Sequence, residues 1–161
     1  MVTVILGGLA VWFGVQAHTA TSQPSAQNVA LTDTAATSQV NGEIASAVNT
    51  AFSYNYADMA RTRDAARRLL TGGAVRQYNS LFKTVVQDAS KDKLVLTPKV
   101  TSSGVELLSG DRARVLLFAT QADTSAVTRQ TSNGATMLAI DAIRQGGTWK
   151  IDGIDTFNGG A

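Results

Sequence analysis

Between Leu94 and Gln121 the chain reads LVLTPKVTSSGVELLSGDRARVLLFATQ, and the periodicity of this stretch decides the fold class. β-Branched residues are dense, helix formers are few, and turn signals stand at Ser102-Ser103-Gly104 and Ser109-Gly110-Asp111. Arg112 to Gln121 is apolar at both parities in its centre, Val115-Leu116-Leu117-Phe118, which suits a central strand covered by helices on one side. A further turn signal follows at Gln145-Gly146-Gly147, so antiparallel strands are predicted near 94–107, 112–121, 129–143 and 148–157. In the last of these Trp149 alternates with Ile151, and both are expected to pack inward.

Upstream, the apolar residues fall three to five apart. Leu31, Ala36, Val40, Ile44, Ala47, Val48 and Ala51 mark an amphipathic helix over roughly 30–53, weakened at Gly42. A short helix is predicted from Thr62 or Arg63 to Leu70, with Gly72 and Gly73 as its stop. A third begins near Ala74, carries Val75, Tyr78, Phe82, Val85 and Ala89 on one face, and ends at Lys91-Asp92-Lys93. Three helices followed by four strands on short hairpins give an α+β class: helices on one face of a curved four-stranded antiparallel sheet, a cone-like cup. Residues 30–161 are read as this domain.

The first 17 residues, MVTVILGGLAVWFGVQA, hold no charged side chain. As a helix they would be about 25 Å long, close to the roughly 30 Å hydrocarbon layer and extensible through His18 and Thr19. Residues 1–19 are therefore read as a transmembrane anchor and 20–29 as a linker or helix extension around Pro24. The competing reading, a secretory signal cleaved after Val15-Gln16-Ala17, lacks a positive leader. Gly7, Ala10, Gly14 and Ala17 line one helical face, where small residues let a partner helix's backbone approach, so they are the candidate partner-contact residues. His18, the sole histidine, sits at headgroup level in this reading.

Composition supports one domain and an envelope location. The 161 residues allow one core, and the 16% charged content lies below the roughly 25% of average soluble proteins. Fourteen basic against twelve acidic residues leave a net charge of +2, too little for a nucleic-acid surface. All the basic residues lie from Arg61 onward, while the first 60 residues carry only Asp33, Glu43 and Asp58. A segment so free of positive charge is easily translocated, which places residues 18–161 outside the cytoplasm, on the periplasmic side of the inner membrane.

Candidate chemistry is sparse. With no cysteine there is no thiolate, disulfide or Cys-ligated zinc, and no phosphate loop, dinucleotide motif or metal spacing is present, so no cofactor is expected. Tyr54, Tyr56 and Asp58 in SYNYAD invite an enolate-stabilising reading. The plainer reading gives the tyrosines to the core or a loop and Asp58 to a helix cap, and a non-enzyme is expected. The run from Arg61 to Arg68 is read as a solvated helix face, with Asp64 spaced to pair with Arg67 and Arg68.

Across nearly the whole chain, Ala30-Leu31-Thr32-Asp33, Phe52-Ser53-Tyr54-Asn55-Tyr56, Leu70-Thr71-Gly72, Gln77-Tyr78, Gly104-Val105, Asp111-Arg112-Ala113 and Gly147-Thr148-Trp149-Lys150-Ile151 follow in a characteristic order. This pattern resembles the Mce-associated membrane proteins of mycobacteria and related actinobacteria. The resemblance implies a single membrane helix, a cystatin-like or nuclear-transport-factor-two-like cone, and an accessory, stabilising role in Mce complexes that import fatty acids or sterols. Its implied partners are the transporter permease and the MCE-domain subunits, with lipid as a further possible ligand and no catalytic residues to carry over. Two alternatives stand beside it: a lipid-binding or enzymatic cup of the same fold, and a secretion-type assembly factor.

Overall fold

The computed structural model describes residues 27–157, and for 84–90 the backbone alone. Helix α1 spans Thr34–Ala51 and starts where the Asp33 carboxylate accepts the Ala36 N–H at 2.9 Å. Val40, Ile44, Ala47, Val48 and Ala51 are its buried residues, the stripe that a 3.6-residue period places on one face. Helix α2 spans Met59–Leu69, beginning before Thr62 because Asp58 accepts the Arg61 N–H at 3.1 Å. Helix α3 spans Gly72–Asp92.

The glycines expected to stop the second helix instead open the third. Helix α2 ends on Leu70, whose extended backbone makes a parallel bridge to Ile151, and the Thr71 N–H donates to the Ile151 carbonyl at 2.8 Å. Gly72 then turns the chain at φ +52, with the Asp152 carboxylate where a Cβ would stand. A left-handed φ and a close approach both call for glycine here.

Four long strands follow: β2 Leu94–Ser109, β3 Arg112–Ser125, β4 Thr131–Gln145 and β5 Thr148–Thr156. A two-residue strand β1, Tyr54–Asn55, pairs antiparallel with β2 through Tyr54↔Leu96 and Asn55↔Val95. The sheet is therefore five-stranded in the order β1-β2-β3-β4-β5, one strand more than the sequence predicts. Two residues carry no readable period, and only the fold brings them to the edge of β2. The Ser102-Ser103-Gly104 signal is not a turn but part of a continuous β2, whose register to β3 shifts between Val100 and Ser102 and again between Val105 and Leu107. A third shift lies at Asp141/Ala142 opposite β5. Such bulges increase the local twist and bend an antiparallel sheet.

The helices cover one face of this sheet. Val115 and Leu117 of β3, Ile140 of β4 and Ile151 of β5 are fully buried against Val40 and Ile44 of α1, and Trp149 joins the same core. Full burial of each such aliphatic side chain stabilises the fold by about 1.5–3 kcal/mol. The lead-in to α1 is stitched to the sheet: Asn28 Oδ1 accepts from Ala30 N at 3.0 Å and Leu108 N at 2.9 Å, and its Nδ2 donates to Glu106 O at 2.8 Å. The Val29 N–H adds a bond to Leu108 O at 2.8 Å.

Candidate functional site

Among the described residues, two surfaces gather side chains that could act on something outside the fold. The first surrounds SYNYAD. Tyr54 is 2% exposed, its ring edge-on to Phe82 at 6.0 Å, and Phe82 stacks on Tyr78 at 4.6 Å. The Tyr78 hydroxyl donates to the Ala51 carbonyl at 2.8 Å, and burial pushes its ionisation above the usual tyrosine range. The buried Tyr54 hydroxyl has no partner among the described residues. Tyr56 is partly exposed, and Asp58 accepts the Arg61 N–H as the N-cap of α2, the role expected of it.

A cleft of about 550 Å³ opens beside them, between the end of α1, helix α2 and the β1–β2 edge. Tyr54, Asp58, Arg61 and Arg68 lie on its wall, whereas Tyr56 does not. The arginine run is split by the helix period. Asp64 pairs with Arg67 alone, Arg61 and Arg68 face the cleft, and Arg63 faces a second hollow between α2 and α3. Among the described residues no cluster of His, Asp or Glu has the arrangement of a metal site.

The second surface is the face of the sheet away from the helices. Even-numbered residues of β3 from Arg112 to Thr120 point there, opposite in parity to buried Val115 and Leu117. Phe118 is 52% exposed and pairs in register with Met137, itself 38% exposed. Phe157, 48% exposed, follows Thr156, the register partner of Leu138, and continues the parity of Asp155 on β5. An apolar row thus crosses β3, β4 and the end of β5 on a face that no described element covers. The double-parity apolar run at 115–118 signals this in retrospect: Val115 and Leu117 serve the core, and Phe118 does not.

Along the same face, Arg114 gathers three carboxylates: Asp141 at 2.8 Å, Glu106 at 3.3 Å and Asp155 at 3.3 Å. The hydrogen bond to Asp141 holds the guanidinium more firmly protonated than usual; burial opposes it, and the charges of Asp141 and Glu106 with a hydrogen bond to Asp155 add to it. These residues come from four strands, β2 to β5, so no spacing in the sequence brings them together.

The partner-contact face expected of Gly7, Ala10, Gly14 and Ala17 lies outside the described residues, as do the expected membrane anchor and His18. No helix among the described residues is long and apolar enough to cross a membrane.

No protein family's sequence profile matches the chain, and no curated protein matches it in sequence. Solved structures do. An IcmL-like type IV secretion system protein from Legionella pneumophila superposes with a TM-score of 0.64 at 9% identity, over 74% of this chain and 90% of that one. The periplasmic domain of DotI gives 0.63 at 17% identity, over 74% and 93%. CagV, a VirB8 homolog of the type IV secretion system of Helicobacter pylori, gives 0.61 at 14% identity, over 74% and 96%. At such identities the likeness shows the fold alone, an α+β domain of the nuclear-transport-factor-two-like kind.

Proposed function

We propose that the chain is a non-catalytic, membrane-tethered assembly subunit, whose periplasmic domain docks on another protein of an envelope-spanning complex through the uncovered face of its sheet. The row of Phe118, Met137 and Phe157 carries this reading. Large apolar side chains in register on an open sheet face gain little in water and become favourable when a partner's apolar surface covers them. The likeness in fold to two type IV secretion system proteins and to the periplasmic domain of DotI supports a secretion-type assembly role in particular. The Mce accessory role, with permease and MCE-domain partners, is a second reading supported by the ordered residue pattern from Ala30 to Ile151.

Photo-crosslinking in native membranes tests this. A benzoylphenylalanine at 118 or 137 is expected to trap one defined membrane-complex subunit, whereas the same probe at exposed Leu81 on α3 is not. A secretion-apparatus subunit in the adduct supports the first reading, and an Mce permease or MCE-domain protein the second. F118K is expected to abolish the adduct formed from position 137. Equal trapping from 81 and 118, or none from 118 and 137, refutes docking through the sheet face.

A further inference from the structure

The hollow between α2 and α3, on the far side of Tyr54 from the polar cleft, has a volume of about 410 Å³. That is within the range of small-molecule sites, which span about 300–1,000 Å³. Its apolar wall is Met59 of α2 with Tyr78 and Phe82 of α3, two of them the stacked aromatic pair. Among the described residues that line it, the charged ones are both cations, Arg63 and Lys83. Both cations are exposed. Elsewhere on α2 the neighbouring arginine behaves differently: Arg67 is bound by Asp64.

Two hydroxyls stand on the wall shared with the polar cleft. Thr62 donates to the Ser53 carbonyl at 3.1 Å and is satisfied. The Tyr54 hydroxyl is buried and has no partner among the described residues, where phenylalanine would fill the same packing space without an unmet hydrogen bond. Apolar walls and two exposed cations among the described lining residues together suit a small anionic ligand with an apolar body.

We propose that this hollow binds a small apolar carboxylate, its hydrocarbon or aromatic body against Met59, Tyr78 and Phe82 and its carboxylate between Arg63 and Lys83 at the mouth. The site lies on the helical side of the domain and is independent of docking through the sheet face, so either can fail without the other.

The full-length chain in nanodiscs can be labelled with decanoate bearing a terminal diazirine, with the alcohol of equal length as the uncharged control. Saturable labelling is expected on peptides carrying Met59 and Phe82, and excess plain decanoate should suppress it. Replacing both exposed cations, Arg63→Gln with Lys83→Gln, should weaken carboxylate labelling about tenfold and leave alcohol labelling unchanged. Met59→Trp, which fills the hollow, should remove both. Labelling that plain decanoate does not suppress on wild-type protein overturns the site, whatever the fate of the tryptophan variant. Equal loss of acid and alcohol labelling in the double variant overturns the carboxylate assignment.

Discussion

Asn28 ties the segment that leads into the domain to the edge of β2, and its removal has a calculable effect. In Asn28→Ala three hydrogen bonds disappear together: from Ala30 N, from Leu108 N and to Glu106 O. The Glu106 carbonyl lies at an exposed position and regains a water partner at little cost. The Ala30 and Leu108 amides are half-buried, and losing an acceptor costs each about 1 kcal/mol. The sum is about 2 kcal/mol, which at about 3 °C per kcal/mol for a chain of this size lowers Tm by about 6 °C. Asn28→Asp keeps the accepting oxygen and loses only the Glu106 bond, so its cost should stay below about 1 kcal/mol. Thermal unfolding of the full-length chain by circular dichroism measures the first number. Amide exchange at Leu108 measures the cause, with protection lost in the alanine variant and kept in the aspartate variant. An alanine variant within about 1 °C of wild type, or an aspartate variant as damaged as the alanine one, refutes the acceptor role.

Two glycines should respond oppositely to alanine. Gly42 lies in α1 with open space around its Cβ position, so Gly42→Ala should stabilise by about 0.5–1 kcal/mol, whereas Gly72→Ala must adopt φ +52 and displace Asp152, and should cost about 1–2 kcal/mol in the same melts. Tyr78 should make stability fall at alkaline pH. Its folded-state ionisation lies above its unfolded value of about 10, so its stabilisation is complete below pH 10 and declines as the unfolded chain ionises, by up to about 1.4 kcal/mol per pH unit. Urea unfolding of wild type and Tyr78→Phe from pH 8 to 11.5 should show the difference between them shrinking above pH 10; a constant difference refutes the assignment.

The helices and long strands are legible because their signals are local. The stripe from Val40 to Ala51 and the alternation Trp149–Ile151 are repeating side-chain periods, and both faces they define are buried. Asp58 was readable as a cap because its carboxylate acts on an amide of the next turn. Gly72 misleads for the opposite reason. A glycine after a helical stretch signals a stop, yet here it is selected by the approach of Asp152 from β5, distant in sequence. Strand β1 and the seam at Asn28 are invisible for the same reason, since each depends on β2 as a partner.

By itself the sequence determined the α+β order, the inward stripe from Val40 to Ala51, the inward Trp149 and Ile151, the asymmetric charge and the absence of cysteine chemistry, all of which follow from composition and short-range period, whereas Leu31 and Val75, read into apolar stripes, lie exposed. The tertiary structure alone decided which apolar residues remain outside. Phe118 and Val115 read alike in the sequence, but an antiparallel sheet with helices on one face buries one parity and exposes the other. It also decided that Arg114 meets acids from three other strands, and that Tyr54 divides a polar cleft from an apolar hollow. Such meetings depend on register and packing between segments, and no local period encodes them.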